Sequence, residues 1–204
     1  MPQLEKPLLF ENHTITFAPP LSDDEFFELC VRYDDMNFEV TKEGTIRMMT
    51  PSGNESSEAN AEIIYQLHAW WHTHKRGRVY DSNTLFILPD GSKKGPDAAY
   101  ITAERLATVP REALRKFAPV CPNFVIELMS ATDSLTEAID KMHEWSHNGV
   151  EVGWLIDPYR RKSYYFIAAA AGAAAIGTPA SEMEGSGPVE GFNLDLTEVW
   201  RVYE

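Results

Sequence analysis

Two acidic residues interrupt stretches of sequence that otherwise favour β-strands. Asp97 opens the run DAAYI at 97–101, and Glu127 lies within FVIEL at 124–128. A carboxylate inside an apolar strand is costly to desolvate unless a positive charge meets it. Mg²⁺, which prefers oxygen ligands, would compensate two converging carboxylates. The pair therefore predicts a divalent-metal site, although a turn residue at 97 and a salt-bridged surface group at 127 would explain the same residue types.

The charge balance argues against an extended nucleic-acid surface. The chain carries 31 acidic and 18 basic residues, which gives a formal net charge of −13. Since non-specific affinity for DNA comes largely from Lys and Arg, the protein as a whole should be repelled by DNA. Three short basic clusters, at 75–78, 93–94 and 160–162, are interpreted as solvated turns.

Length and composition predict one domain that spans 1–204. The 204 residues are 44% hydrophobic and 11% aromatic, as is usual for globular proteins. Within this domain we expect an irregular N-terminal segment at 1–20, with one short strand at 14–17, and a variable loop region at 168–188. The alanine-rich stretch 168–175 in that region supports no functional inference.

Neither a targeting signal nor a membrane segment is recognisable. The N-terminal sequence lacks the basic start and apolar stretch of a signal peptide, and no run is long enough to span a membrane. The two cysteines, Cys30 and Cys121, do not have the spacing of a zinc site or of a disulfide framework. We therefore expect a cytoplasmic protein without a membrane partner.

Hydrophobic periodicity predicts the elements that must position the two acids. Helices are predicted at 22–33, 57–74 and 134–147. Strands are predicted at 38–40, 45–49, 78–81, 84–88, 97–101, 123–128, 152–156 and 164–167. A final turn at 189–194 leads into an apolar edge that ends at Trp200. This order predicts an α/β fold with a mixed β-sheet flanked by helices, in which 123–128 is the central strand.

A second chemical motif competes with the acidic pair. The segment His143-Glu144-Trp145-Ser146-His147 matches the H-E-x-x-H helix of zinc metalloproteases. No further histidine follows it, and Gly149 comes two residues after the motif, whereas the extended motif needs a glycine at three. A zinc metalloprotease therefore stays a minor alternative. Another i, i+4 pair, His68 and His72, is interpreted as the polar flank of a packed helix.

A wider set of motifs resembles one protein family. Pro-Asp, a spacer and then an acid on an apolar strand form the skeleton of the PD-(D/E)XK metal-dependent nucleases. With its flanking motifs, this skeleton resembles the Uma family, whose members are called restriction endonucleases on grounds of fold. The matching positions run in consistent order from about residue 22 to about residue 200, at Phe38-Glu39-Val40, Gly44, Pro96-Asp97, 125–130, Lys141, Trp145, Gly149-Val150, 154–158 and Gly191-Phe192. The resemblance implies a restriction-endonuclease-like fold.

The resemblance also implies roles for individual residues. Asp97 and Glu127 would be the metal ligands, and the backbone carbonyl of Leu128 would complete their shell. Glu39 would add a further acid near the site. The nuclease pattern places a lysine two residues after the second acid, but this chain has Met129 there.

Lys141 is the candidate for the missing lysine. The family pattern implies that the lysine has moved to the next helix. A helical spacing of about 100° per residue independently puts Lys141 beside Ala138 and Trp145, at the edge of the apolar face. An amine there can bury its stem and direct its head towards carboxylates. The alternative is a lysine that only covers the edge of the helix.

Together these residues predict a Mg²⁺-dependent endonuclease, with Mn²⁺ as a substitute ion, that hydrolyses phosphodiester bonds of DNA. A homodimer is expected, because cleavage of a duplex needs one site for each strand. The alternative is a non-catalytic binding or scaffold protein that keeps the nuclease fold. The acidic composition and Met129 favour that alternative.

Overall fold

The computed structural model describes residues 8–11, 14–168 and 181–204. The strands in this part of the chain are β1 (Leu8–Glu11), β2 (Thr14–Phe17), β3 (Asn37–Val40), β4 (Ile46–Met49), β5 (Arg78–Asp81), β6 (Phe86–Ile87), β7 (Lys93–Lys94), β8 (Ala98–Ile101), β9 (Phe124–Leu128), β10 (Val152–Asp157), β11 (Lys162–Ile167), β12 (Glu182–Glu184) and β13 (Asn193–Asp195). Its α-helices are α1 (Asp23–Arg32), α2 (Asn54–His74), α3 (Ala103–Leu106), α4 (Leu135–His147) and α5 (Leu196–Arg201). None of these helices is both long and apolar enough to cross a membrane.

The predicted α/β arrangement is confirmed, and the three predicted helices correspond to α1, α2 and α4. At the start of α1, the Ser22 side chain accepts a hydrogen bond from the Glu25 amide, and the Glu25 carboxylate accepts one from the Ser22 amide. This capping box satisfies two backbone donors that the first turn would otherwise leave unpaired. The N-terminus of α2 lies at Asn54, earlier than predicted.

The described part of the N-terminal segment is not irregular throughout. β1 pairs antiparallel with β2, so that Leu8 lies opposite Phe17. Residues 1–7 and 12–13 lie outside the described residues. The same holds for 169–180, which include most of the alanine-rich stretch and of the variable loop region.

Three further predictions are corrected. Only β6 remains of the strand predicted at 84–88, and the basic cluster at 93–94 forms the buried strand β7 rather than a solvated turn. The apolar edge predicted to end at Trp200 is the helix α5. A helix forms there because the Asp195 side chain accepts a hydrogen bond from the Thr197 amide and caps its first turn.

A mixed five-stranded sheet carries Glu127. Its strand order is β11-β10-β9-β8-β5, in which β9 and β10 run parallel and the other neighbours run antiparallel. β9 is central, as predicted. α2 packs on one face and α4 on the other. Because side chains alternate along a strand, Phe124 and Ile126 lie in the core beneath α2, whereas Val125 lies in the core beneath α4.

A six-stranded antiparallel sheet lies beside it, in the order β1-β2-β4-β3-β7-β6. Phe38 and Ile46 of this sheet pack with Phe26 of α1 in a third core. Its strand β7 continues through Gly95 and Pro96 into Asp97 and then into β8 of the five-stranded sheet. The chain therefore passes from one sheet to the other at the residues predicted to form the site.

Candidate active site

The strand register sets Asp97 and Glu127 on one face of the five-stranded sheet. β8 and β9 pair antiparallel with Ala98 opposite Ile126, and one further step in this register sets Asp97 opposite Glu127. Side chains at directly opposed positions project to the same face. This is the face covered by α4, because Glu127 lies two residues after Val125 on β9 and therefore projects to the same face, where Val125 belongs to the core beneath α4. The structure thus brings the two acids to neighbouring positions.

Lys141 of α4 contacts carboxylates from both sheets. Its Nζ lies 3.1 Å from each oxygen of Glu127 and 3.4 Å from Oε1 of Glu39. The amine is therefore directed at the carboxylates, as the helical spacing predicted, and does more than cover the edge of the helix. Met129 is buried on the same face as Glu127. α4 consequently supplies an ammonium to the face on which a lysine at 129 would project.

Glu39 enters the site from β3 of the six-stranded sheet. Its Oε1 accepts a hydrogen bond from the Gly95 amide at 3.2 Å, and the Gly95 carbonyl accepts one from Lys141 at 3.3 Å. A Cβ added at Gly95 would lie 2.9 Å from the carbonyl oxygen of Thr84. Glycine is therefore required where the backbone runs between the carboxylate and the amine.

Asp97 is held by the backbone of the neighbouring strand. Its Oδ2 accepts a hydrogen bond of 2.7 Å from the Leu128 amide. The observed contact of Leu128 with the site is thus made by its N–H. The predicted role of its carbonyl as a metal ligand stays a prediction.

Burial and mutual repulsion set the protonation of the cluster. Burial raises the pKa of Glu127 to about 7, helped by Asp97 and Glu39 and opposed by Lys141. Burial also raises the pKa of Asp97, which Lys141 and the Leu128 amide partly offset. Burial alone would lower the pKa of Lys141, but attraction to Glu127, Glu39 and Asp97 outweighs it and raises that pKa. At neutral pH the amine is therefore charged.

The cluster lines a cleft of about 1,380 Å³ to which both sheets contribute residues. Basic residues at this cleft are Arg47, Lys94 and Lys141. Acidic residues are three times as numerous among its described lining residues: Asp34, Glu39, Glu55, Asp97, Glu127, Asp133, Glu137, Asp140 and Glu144. The cleft therefore attracts cations more strongly than anions.

The carboxylates of the cluster suit Mg²⁺. Within the described ranges, no group of three or more His, Cys, Asp or Glu side chains is arranged to hold a metal ion. Mg²⁺, however, usually binds through one or two carboxylates and keeps several of its waters. Asp97 and Glu127 can supply that pair. The residues therefore fit a hard divalent cation.

A family model described as "Putative restriction endonuclease" matches residues 23–197 of the chain. The chain belongs to this family, Uma2. A crystal structure described as a "putative nuclease belonging to DUF820" from Anabaena variabilis is 18% identical in sequence, with a TM-score of 0.69 over 91% of this chain and 100% of that chain. This likeness confirms the predicted restriction-endonuclease-like fold. No curated protein matches the chain.

In this Uma2 protein one residue contacts the cluster and another lies in the same cleft, and neither was predicted as a site residue. Trp145 of α4 donates from Nε1 to Oε1 of Glu127 at 2.7 Å. Its spacing of four residues from Lys141, on the same side of the helix, is the sequence signal that could have identified it. Lys94 lies buried in the cleft and pairs with Glu144. Nothing local in the sequence distinguishes this lysine from a solvated one.

Trp145→Phe is expected to destabilise the protein by about 1–3 kcal/mol, because a buried carboxylate loses a donor and the smaller phenyl ring leaves part of the buried indole volume empty. Since the Trp145 N–H lowers the pKa of Glu127, that pKa should rise above about 7 in the variant. Urea denaturation measures the first effect, and titration of the carboxyl by NMR measures the second. Trp71→Phe, which removes an indole bond to the Gly77 carbonyl, is the matched control: it should leave the pKa of Glu127 unchanged.

The H-E-x-x-H alternative loses its basis in the Uma2 structure. Glu144, which would be its general base, is paired with Lys94, and Nδ1 of His147 contacts the backbone oxygen of His143 at 2.8 Å. His143 packs edge-on against Phe166. None of the described residues joins these histidines as a third ligand of a metal group.

The histidine pair on α2 is consistent with a polar helix flank. The rings of His68 and His72 are exposed, with centroids 6.3 Å apart. His68 also packs against Trp71. As at α4, the part of the chain that the structure describes adds no third metal-binding group to this pair.

Proposed function

We propose that the protein is a Mg²⁺-dependent endonuclease that hydrolyses phosphodiester bonds of DNA. One observation carries this proposal: the Lys141 ammonium contacts Glu127 and Glu39 on the face where Asp97 lies opposite Glu127. An acidic pair can hold the ion for metal-assisted phosphodiester hydrolysis, and a neighbouring ammonium can stabilise the charge that develops on the phosphate. Membership of the Uma2 family supports the same activity.

Asp97 and Glu127 would hold the ion, with the Leu128 carbonyl and Glu39 beside it. When bound, Mg²⁺, or Mn²⁺ in its place, stabilises negative charge on the phosphate and lowers the pKa of a water molecule. The raised pKa of Lys141 keeps its amine charged throughout the neutral range. This residue can therefore donate hydrogen bonds to the reacting phosphate or orient the attacking water. Trp145 fixes the Glu127 carboxylate by its 2.7 Å bond.

The proposal is tested by incubating plasmid and single-stranded DNA with the protein and Mg²⁺ or Mn²⁺. We expect cleavage with either ion, and none with EDTA or with Glu127→Ala. Cleavage that persists in Glu127→Ala would assign the activity to another site or to a contaminant. Absence of cleavage under every condition would favour the binding protein considered below.

Affinity for Mn²⁺ is expected to rise with pH and to level off above about 7, because Glu127 must lose its proton before it binds the ion. A raised pKa means that the acid is protonated on the low-pH side, so affinity should weaken by up to about tenfold per pH unit there. Calorimetric titration over this range measures the effect. An affinity that does not change with pH would remove Glu127 from the ligand set.

The second candidate is a non-catalytic binding or scaffold protein with the nuclease fold. The acidic lining of the cleft favours it, because nine carboxylate side chains face three basic ones and would repel phosphate without a metal. The argument from Met129 is weaker than the sequence suggested, because Lys141 supplies the amine. The cleavage assay distinguishes the two candidates.

Two further parts of the proposal concern assembly and location. A homodimer would present one site to each strand of a duplex, and sedimentation velocity tests for it. We place the protein in the cytoplasm. The free thiols of Cys30 and Cys121 suit a reducing compartment.

A further inference from the structure

A second cavity, of about 440 Å³, adjoins the acidic cleft. It is bounded by β5, the segment that follows β5, and residues 114–118. Its volume falls within the range of small-ligand pockets, about 300–1,000 Å³. Because it lies outside the carboxylate cluster, the proposed hydrolysis does not explain its composition.

The charge of this second cavity is opposite to that of the cleft. Its lining includes Arg78, Arg115 and Lys116, and none of its described lining residues is acidic. Arg78 donates to the neighbouring Gly77 carbonyl at 3.0 Å. Lys116 pairs with Asp24 of α1 at 2.7 Å. In a protein with a net charge of −13, such a cluster of cations is suited to an anionic ligand.

The wall of the cavity is aromatic. Tyr80 and Phe86 pack edge to face with centroids 5.4 Å apart, and Phe27 and Phe117 do so at 5.3 Å. All four line the cavity. Tyr80, Phe27 and Phe117 are partly exposed. Partly exposed rings beside cations combine the two features by which proteins bind unpaired nucleotides, base stacking and phosphate contact.

The cavity and the cleft adjoin and share part of their lining. Phe27, Asn83, Leu85 and Phe117 line both. A strand whose phosphate reaches the carboxylate cluster could therefore continue into the basic cavity. In a duplex the base faces are stacked on one another, so that an aromatic wall is accessible only to an unpaired base.

We propose that this cavity binds one unpaired nucleotide of a single-stranded nucleic acid, with its phosphate on Arg78 and Arg115 and its base on the aromatic wall. The connection to catalysis rests on the proposed nuclease function, but the binding itself does not. The inference adds a preference for unpaired strands to the proposed function, and for such strands the argument for a homodimer from duplex cleavage does not apply.

The test is fluorescence anisotropy of a short labelled oligothymidylate in EDTA, with Glu127→Gln as the background so that no cleavage occurs. The double variant Arg78→Ala/Arg115→Ala should bind about tenfold more weakly, and its slope of log affinity against log salt should be smaller by about 0.7 per cation removed. Lys42→Ala/Lys162→Ala, which removes two exposed cations elsewhere, is the matched control and should bind normally. Thermal melts verify that each variant folds, and Arg115→Ala alone serves if the double variant does not.

Asp24→Asn provides a test in the opposite direction. Because Asp24 pairs with Lys116, its neutralisation should free this cation and strengthen oligothymidylate binding severalfold. Equal affinity of the Arg78/Arg115 double variant and the control would overturn the proposal, and so would a blunt duplex that binds as tightly as the single strand. The anisotropy assay is run in EDTA and does not depend on Mn²⁺ binding. Failure of the proposed metal site and failure of the proposed nucleotide site are therefore distinguishable.

Discussion

Glu127→Gln is expected to abolish binding of Mg²⁺ and Mn²⁺ and to reduce DNA cleavage by about 1,000-fold or more. Loss of groups that only orient metal ligands costs about 10–100-fold in affinity, so loss of a ligand itself should cost more. Glutamine is nearly isosteric, and its amide oxygen can still accept the bond from Trp145 that the carboxylate accepts at 2.7 Å. The fold should therefore be kept. Calorimetric Mn²⁺ titration measures the binding, and Asp97→Asn should give the same result.

Glu190→Gln is the matched control for this change. Glu190 is exposed, and its neighbours Val189 and Phe192 belong to the core on the α2 side of the sheet, opposite the site. It loses the same charge, so it should bind Mn²⁺ and cleave as the unaltered protein does. If Glu127→Gln also titrates like the unaltered protein, the carboxylates form a structural ion-pair cluster and not a metal site.

Lys141→Met is expected to destabilise the protein by about 3 kcal/mol at pH 8, because breaking a buried ion pair leaves its partners without compensation. Glu127 and Glu39 both lose their ammonium partner, and the pKa of Glu127 should rise further, since Lys141 lowers it. A carboxyl whose pKa is raised on folding contributes stability at low pH, and that contribution is lost as pH rises through the raised value. The variant should therefore lose less stability at pH 5 than at pH 8.

Urea denaturation at both pH values measures this difference. The double variant Glu127→Gln/Lys141→Met should recover part of the loss at pH 8, because the carboxylate that lacks a partner is then neutral. Lys162→Met, an exposed lysine on β11, controls for the loss of charge. Equal losses at pH 5 and pH 8 would show that Lys141 contributes by packing rather than by its charge.

Local patterns in the sequence accounted for the parts of the site that lie on one element. The helical spacing put Lys141 on the edge of an apolar face, and that geometry is fixed within α4 whatever surrounds it. The apolar run around Glu127 identified β9 as central, because both of its faces had to be buried. That the two acids converge was inferred only from the desolvation cost of placing carboxylates in apolar strands. The antiparallel register that produces it depends on a partner strand that local sequence does not specify.

Contacts between distant elements could not be read from such patterns. Lys93 and Lys94 are 5% and 7% exposed because Asp23 of α1 and Glu144 of α4 meet them. Two adjacent lysines otherwise indicate a solvated turn, since an unpaired ammonium is rarely buried. Glu39 reaches the cluster from the other sheet. Only the family resemblance, and no pattern of spacing, had linked it to the site.

Where the chain passes from one sheet to the other at Gly95, ligand binding is coupled to the packing of the two sheets. Glu39 belongs to one layer and Glu127 to the other, and Lys141 contacts both. A ligand that engages both layers binds only the state in which they are apposed, so its affinity adds to their cohesion by mass action. Conversely, a local opening that separates the six-stranded sheet from the five-stranded sheet would release the ligand in the same step. Binding of a ligand in the cleft and the packing of the two sheets against each other are therefore linked equilibria.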